Sequence, residues 1–306
     1  MIPLSGPLTS ANAEISGMAW YGDWLILLPQ YPHFQGQGDG DGFLYALGRD
    51  DLLAHVRGDA HDPIEPVPIP FYAPGLRPAI AGYEGYEAIA FDGDRAFLTI
   101  EASPITGMIG YILVAEMAPD LSELTVDVTS RFAIDSQTDI PNISEEAILV
   151  WQDEVLVLHE ANGPAVNPAP VARVFAIDLT PLGNLPFASI PYRLTDLTTV
   201  VSDGTFWGIN YFFPGDGALR EPVDPLAERY GVGASHSDRD GVERLVQFRI
   251  DENGIVMVDR PPIQLSLLPD DLRNWEGIEY LEGEGFLLVT DKFPGTLFAF
   301  VAWPDG

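Results

Sequence analysis

The sequence predicts an all-β protein, a five-bladed β-propeller, on three observations. A short pattern recurs along the chain: a polar residue, a small residue and then an apolar run. Each copy is followed by an Asp- and Gly-rich turn and a second apolar run, as in a β-hairpin. The 30 Gly and 27 Pro are spread over all 306 residues, and such even punctuation is typical of many short strands. The recurring segments are Glu14–Trp20, Tyr86–Phe91, Glu145–Val150, Asp196–Val201 and Trp275–Tyr280.

Further apolar segments after each hairpin are interpreted as a third and a fourth strand. The third strands are predicted at Gly42–Leu47, Tyr111–Glu116, Ala172–Ile177, Arg244–Ile250 and Thr296–Val301. The fourth strands are predicted at Glu65–Phe71, Thr125–Phe132, Ala188–Tyr192 and Ile255–Arg260. The last unit lacks a fourth strand, and Ile2–Leu8 is expected to supply it. The ring then closes without an exposed sheet edge.

These units predict a single domain over residues 1–306. The blades are expected at roughly 9–72, 73–133, 134–193, 194–262 and 263–306 together with 1–8. Six blades are the alternative, and they need another hairpin within Phe212–Gly241, whose Gly, Pro and charged residues are more typical of a loop. Runs such as Leu25–Leu28 are continuously apolar, as expected for strands covered on both faces.

The composition excludes several classes of partner and chemistry. The net charge is −31, from 46 acidic and 15 basic residues, so nucleic acid is not expected to bind. The absence of cysteine excludes disulfides and thiolate sites. No apolar stretch reaches the length of a membrane span, so no membrane partner is expected. We also expect the protein to be a monomer. The N-terminus lacks the features of a signal peptide, which leaves a cytoplasmic protein or a mature secreted or periplasmic form.

Polar residues of the recurring segments are predicted to meet on one axis. In a propeller the first strand of each blade lines the central channel, and it starts at the end where its antiparallel partner finishes. The starts carry Ser16, Glu87, Glu146 and Glu276. In the fourth unit Leu197 falls in this column, and Asp196 or Thr198 is the nearest polar residue. The ends of the second strands carry Gln30, Glu101, Glu160, Asn210 and Asp291.

Such a cluster of carboxylates predicts a cation site. Neighbouring carboxylates repel and raise one another's pKa, and a hard divalent cation removes this cost. Oxygen ligands without sulfur favour calcium, with magnesium or manganese as alternatives. The other interpretation is that the glutamates bind backbone N–H groups, water or arginine. Candidate acid–base residues at the same end are Glu101, Glu160, Asp291 and His159, although a buried, hydrogen-bonded histidine is the simpler interpretation of the last.

The segments Glu14–Trp20 and Trp275–Tyr280, each with its turn and second strand, resemble the repeats of two propeller families. These are the SdiA-regulated family and the esterase-like phytase family. The order Ser, Glu, Glu, a weaker fourth position and Glu is similar to that of the calcium-activated nucleotidase (apyrase) propellers, in which calcium lies on the axis of five blades. The resemblance implies that Ser16, Glu87, Glu146 and Glu276 hold the ion.

Three functions are compatible with these observations. The first is a metal-dependent hydrolase that acts on an ester or phosphoester of a small molecule in the central funnel. The second is a non-catalytic, calcium-stabilised propeller that serves as a binding module. The third is a sugar-acting enzyme, which needs two funnel carboxylates about 5–9 Å apart.

Overall fold

A computed structural model describes residues 1–36, 41–237, 240–266, 272–292 and 295–304. The described residues are dominated by antiparallel strands, so the all-β prediction is confirmed. The strands of the first half are β1 (Ile15–Tyr21), β2 (Trp24–Pro29), β3 (Phe43–Gly48), β4 (Val67–Tyr72), β5 (Tyr83–Asp92), β6 (Arg95–Ala102), β7 (Ile109–Met117) and β8 (Leu124–Asp135). The strands of the second half are β9 (Glu145–Trp151), β10 (Glu154–His159), β11 (Val171–Ala176), β12 (Pro181–Pro186), β13 (Arg193–Leu197), β14 (Thr205–Phe212), β15 (Val242–Asp251), β16 (Gly254–Met257), β17 (Ile263–Gln264), β18 (Trp275–Leu281), β19 (Gly285–Thr290) and β20 (Phe298–Ala302).

The helical elements are short and lie in connections between strands. They are α1 (Arg49–Arg57), α2 (Leu76–Ala79) and α3 (Pro225–Tyr230), with 3-10 turns at Gly6–Thr9 and Gly217–Leu219. Helix α3 is capped by Asp224, whose carboxylate accepts from the N–H groups of Leu226 and Ala227. In the part of the chain that the structure describes, no helix is long and apolar enough to cross a membrane.

Successive groups of strands are arranged in a ring. Each group pairs in chain order, β1 to β4, β5 to β8, β9 to β12, β13 to β16 and β18 to β20, and β17 pairs with β15. The parallel pair β4–β8 joins the outer edges of the first two groups. The first strands contact one another in turn: β1 with β5, β5 with β9, β9 with β13, β13 with β18 and β18 with β1. This closed circuit is a propeller architecture.

Apolar side chains pack between neighbouring groups all the way round the ring. Strand β2 shows the principle, because its successive residues face opposite neighbours. Leu25 and Leu27 belong to the cluster shared with the last group, and Ile26 and Leu28 to the cluster shared with the second. All four are fully buried. The prediction that continuous apolar runs are covered on both faces is therefore confirmed.

The N-terminal segment reaches the predicted place but does not form the predicted strand Ile2–Leu8. The Ile2 N–H donates to the Phe298 carbonyl at 2.8 Å, and Leu4 forms a single parallel bridge with Ile64. The segment thus lies between the last group and the first. Pro3 and Pro7 have no N–H, so a continuous ladder cannot form.

The fourth strand of the third group was also predicted wrongly. It is Pro181–Pro186, and not Ala188–Tyr192. The second segment bonds to both neighbouring groups: the Ala188 N–H donates to the Ile255 carbonyl at 2.8 Å, and the Ile190 N–H donates to the Asn162 carbonyl at 3.1 Å. The additional hairpin that six blades require is not seen in the described residues between β14 and β15, which contain only a 3-10 turn and α3.

Candidate functional site

A β-bulge lies near the start of each first strand. In β1, for example, Ile15 pairs with Pro29 and Gly17 with Leu28, so that Ser16 is the extra residue. Such a bulge re-aims the side chain that it carries, here at the axial end of the strand. The residues at the bulges are Ser16, Glu87 with Ala88, Glu146, Thr195 with Asp196, and Glu276.

The fourth position of this ring is held by Thr195. Its predecessor Leu194 donates its N–H to the carbonyl at the end of the preceding second strand at 2.9 Å, as Tyr86 does at 3.0 Å. Leu194 therefore corresponds to Tyr86, and Thr195 to Glu87. We call the set Ser16, Glu87, Glu146, Thr195 and Glu276 the axial ring.

The two residues predicted for the fourth position lie elsewhere. The Asp196 carboxylate accepts from the Ile278 N–H at 2.8 Å, and the Thr198 hydroxyl accepts from the Trp207 N–H at 3.0 Å. Both side chains therefore join neighbouring strands. The fourth copy carries the polar residues Asp196 and Thr198 where the second copy carries Ala88 and Ala90, so its apolar pattern is too weak to give the register.

The three glutamates of the axial ring come together. Glu87, Glu146 and Glu276 each offer a carboxylate oxygen within 4.8 Å of the other two. Their exposed fractions are 4%, 5% and 8%. Burial raises the pKa of each well above its ordinary value, and the charges of neighbouring carboxylates raise it further. Within the described ranges none of the three forms an ion pair.

Three of the five residues predicted for the second tier, Gln30, Glu101 and Asp291, line the cavity beside this ring. Gln30 Nε2 donates to Glu87 Oε1 at 3.1 Å. Glu101 is 3% exposed, and burial together with the charge of Glu160 raises its pKa to about 8. Asn274, which sequence reasoning missed, donates from Nδ2 to Glu276 Oε1 at 2.5 Å and to Asp291 Oδ2 at 3.4 Å. Burial also raises the pKa of Asp291.

Arg193 separates Glu160 from the funnel. Its Nη1 lies 2.5 Å from Glu160 Oε1, and its Nε lies 2.8 Å from Asp216 Oδ2. Glu160 is fully buried and does not line the cavity. Asn210, the other predicted member of this tier, is bound to backbone carbonyls and to Arg244. Sequence reasoning found no signal for Arg193, because it lies three residues before Asp196, the start of the fourth recurring segment, and does not belong to the repeat.

His159 points away from the funnel. It is fully buried, its Nε2 lies 3.1 Å from Thr138 Oγ1, and its Nδ1 lies 3.4 Å from Glu145 Oε1. It does not line the central cavity. This position is that of a packed histidine, and the geometry gives no support to the predicted role as a general base.

The axial ring opens into one large cavity of about 1330 Å³. Its acidic lining residues are Glu14, Glu84, Glu87, Glu101, Glu146, Asp216, Glu276 and Asp291. Arg193 and Lys292 are the cationic residues of the lining, and Lys292 Nζ pairs with Glu14 Oε1 at 2.8 Å. Aromatic rings of Tyr31, Tyr83, Tyr211 and Phe213 complete the wall. The cavity is therefore strongly acidic with an aromatic rim.

The chemistry of this donor set fits a hard cation. Glu146 Oε2, Glu101 Oε2 and Asp291 Oδ1 are buried without a hydrogen-bond partner among the described residues. Leaving such oxygen atoms unpaired is costly. Three carboxylates that converge without nitrogen or sulfur ligands suit calcium, magnesium or manganese.

Comparisons with known proteins identify the fold. The chain is similar to a bifunctional GH43-CE protein of Bacteroides eggerthii, with 12% identity over 100% of this chain and 35% of that chain and a TM-score of 0.50. It is also similar to an endo-arabinase of Bacteroides thetaiotaomicron, with 11% identity over 100% and 99% of the two chains and a TM-score of 0.47. A GH43_1 enzyme of Xanthomonas citri gives 10% identity over 98% and 91% and a TM-score of 0.48. No family model matches the chain, and no curated protein matches it.

These likenesses concern the fold. The likeness with a TM-score of 0.50 supports a propeller fold. They do not support the predicted resemblance to the SdiA-regulated, esterase-like phytase or apyrase families, since no family model matches. Sequence identities of 10–12% carry no information about substrate.

Proposed function

We propose that the five groups of strands are five blades around one axis and that the axial glutamates hold a divalent cation. One observation carries this proposal: Glu87, Glu146 and Glu276 are buried and lie within 4.8 Å of one another, and none of them forms an ion pair among the described residues, since Arg193 pairs with Glu160 and Asp216. Calcium is the first candidate, with magnesium and manganese as alternatives. Without a cation the cluster must hold protons instead.

We further propose that the protein is a hydrolase acting on an ester in the funnel. A bound cation would polarise a substrate oxygen and lower the pKa of a water molecule. Glu101 was predicted as a general base. A pKa of about 8 keeps its protonated form dominant at neutral pH, so it suits proton donation to the leaving group. Asp291 lies at the same cavity wall and suits the role of base.

The charge of the cavity favours a neutral substrate over a phosphoester. Eight carboxyl groups face two cationic side chains in the lining. Both cations are engaged, Lys292 with Glu14 and Arg193 with Glu160 and Asp216. One divalent cation would leave an excess of negative charge. Phosphate oxygens would therefore meet repulsion at the funnel mouth.

Hydrolysis of a glycoside is the second candidate function. The aromatic rim of Tyr31, Tyr83, Tyr211 and Phe213 offers stacking faces for sugar rings. Buried carboxyl groups with raised pKa supply an acid. A glycosidase of this type needs no cation for its acid–base chemistry.

The test combines metal analysis with a substrate screen. Purified protein is dialysed, analysed for bound metal, and titrated with calcium while thermal unfolding is followed. Neutral esters, phosphoesters and aryl glycosides are then screened with calcium or with EGTA. We expect calcium to raise the melting temperature and to be required for turnover of neutral esters. Glu87→Gln should abolish both effects, whereas the exposed Glu123→Gln should retain both.

Each other outcome has a definite meaning. Turnover of glycosides that survives EGTA selects the second candidate. Calcium stabilisation without turnover of any substrate class selects the non-catalytic propeller. Full ester turnover by Glu87→Gln contradicts the proposed mechanism.

A further inference from the structure

Two members of the axial ring are hydroxyl residues with the same unusual contact. Ser16 Oγ donates to the Tyr86 carbonyl at 2.7 Å, and Thr195 Oγ1 donates to the Trp275 carbonyl at 2.6 Å. Each bond runs from one group of strands to the next. Tyr86 immediately precedes Glu87, and Trp275 immediately precedes Glu276. The two bonds therefore have equivalent positions in the ring.

These bonds satisfy backbone groups that no strand can reach. β5 and β18 are first strands, so they have a neighbouring strand on one edge only. The other edge of each strand has no strand partner. At this free edge of β5, the Tyr86 N–H donates to the Gln30 carbonyl of the first group at 3.0 Å. Its carbonyl points the same way, as it must in a strand, and Ser16 supplies the donor. Ser16 is 2% exposed and Thr195 is fully buried, so water does not compete for either bond.

We infer that Ser16 and Thr195 are positioning residues that fix the backbone of Glu87 and Glu276. This inference rests on the proposed cation site and reassigns Ser16, which the sequence suggested as a ligand. Each hydroxyl holds the peptide directly before an axial glutamate, at the bulge that aims its carboxylate. Affinity for a cation depends on the placement of its ligands. The two hydroxyls therefore set the affinity of the site without touching the ion.

The third axial glutamate provides an internal comparison. The ring member that precedes Glu146 is Glu87, which carries no hydroxyl. The described residues show no side-chain donor to the carbonyl of Glu145 that would match the bonds of Ser16 and Thr195. The position of Glu146 is therefore expected to be independent of both hydroxyls. Loss of Ser16 should affect Glu87, and loss of Thr195 should affect Glu276.

The experiment measures calcium affinity by calorimetry for Ser16→Ala and Thr195→Ala. Each change should weaken calcium binding about tenfold, which corresponds to about 1.4 kcal/mol. Thr195→Ser and Ser16→Thr keep the hydroxyl and should restore affinity to within about twofold of the wild type. Ser130→Ala is the matched control. The Ser130 hydroxyl also donates to a backbone carbonyl, that of Asp127 at 2.7 Å, but on the outer strand β8, so its loss should leave calcium affinity unchanged.

The outcomes separate this inference from the proposed function. Wild-type affinity in both alanine variants, or equal losses in Ser130→Ala, overturns the inference. If the wild type binds no divalent cation, the proposed function fails and a metal-free cycle decides the inference. The cycle compares the effect of Glu87→Gln on unfolding in the wild type and in Ser16→Ala. The positioning role is supported if the effect of Glu87→Gln on unfolding differs between the wild type and Ser16→Ala while the effect of Glu146→Gln is the same in both. It is overturned if both glutamine substitutions are additive with Ser16→Ala.

Discussion

Replacement of Glu146 by glutamine tests whether repulsion between the axial carboxylates limits the stability of the cation-free protein. Two ionised carboxylates within 4.8 Å of each other repel by about 3.5 kcal/mol or more at an effective dielectric constant of about 20. Glu146 takes part in two such pairs, so full ionisation would cost about 7 kcal/mol or more. The protein can avoid this cost by holding a proton in the cluster, and the pKa of Glu146 is raised, first by its burial and then by the charges of neighbouring carboxylates.

The proton that the cluster holds determines how much Glu146→Gln changes the stability and how this change depends on pH. Glu146 has an ordinary pKa of 4.5. Holding one proton in the folded state therefore costs about 5 kcal/mol at pH 8 and less than about 1 kcal/mol at pH 5, from about 1.36 kcal/mol for each pH unit. A group whose pKa is raised on folding contributes stability at low pH that is lost as the pH rises. Glu146→Gln removes this loss, so it should stabilise the cation-free protein by up to about 5 kcal/mol at pH 8.

The assay is urea unfolding in EGTA between pH 5 and pH 8, followed by the fluorescence of the six tryptophans. The unfolding free energy of the wild type should fall with pH more steeply than that of Glu146→Gln. Calcium should remove the difference by stabilising the wild type more than the variant. Glu123→Gln, on an exposed loop, is the control and should follow the wild type. Parallel pH profiles for the wild type and Glu146→Gln would refute the repulsion argument.

Three further changes test other parts of the fold. Burial raises the pKa of Glu279 to about 7, so its stabilising contribution is lost between about pH 4.5 and pH 7, and Glu279→Gln should flatten the unfolding profile there by about 3 kcal/mol. Arg193→Met leaves the buried Glu160 without its partner and should destabilise the protein at pH 8 by about 3–5 kcal/mol, measured by urea unfolding. Gly110→Ala places a Cβ 2.2 Å from Glu145 Oε2, a fully buried carboxylate, and should lower stability by about 1–3 kcal/mol in thermal unfolding.

Matched controls exist for these changes. Gly217→Ala adds a Cβ with no atom within 4 Å and should be neutral. Arg173→Met removes only an exposed contact with Asn184 and should cost little. Equal losses in a variant and its control would show that the named contact is not the cause.

The ring of hairpins could be predicted from the sequence because its signals are local. An Asp- or Gly-rich turn between two apolar runs specifies a hairpin, and recurrence of the hairpin specifies a ring. The outer strands were less predictable. Pro181–Pro186 is largely exposed, and its two Pro, one Gly and one Asn are typical of a turn, so it lacks the apolar pattern that marks a strand. Ala188–Tyr192 has that pattern, but Ile190, together with the preceding Phe187, packs between two groups of strands.

Some residues of the candidate site are likewise predicted by a local sequence pattern, and others are not. Glu87, Glu146 and Glu276 recur within the repeat, so the repeat alone predicts that they lie close together on one axis. Thr195 could not be found in this way, since Asp196 and Thr198 interrupt the apolar run that sets the register in the other copies. Arg193 and Asn274 lie outside the recurring segments. Their importance comes from contacts across the funnel, which no local pattern encodes.

The axial ring has a physical reason to combine carboxylates with hydroxyls. Five glutamates at this spacing would multiply the repulsion far beyond what one divalent cation can offset. A hydroxyl at two positions removes two charges and still provides a donor for the carbonyl that precedes the next glutamate. The same substitution therefore limits charge and fixes geometry. On this argument Ser16→Glu or Thr195→Glu should lose more stability in EGTA at pH 8 than the corresponding alanine variants, measured by urea unfolding, because each adds repulsion to the cation-free ring and also removes the donor.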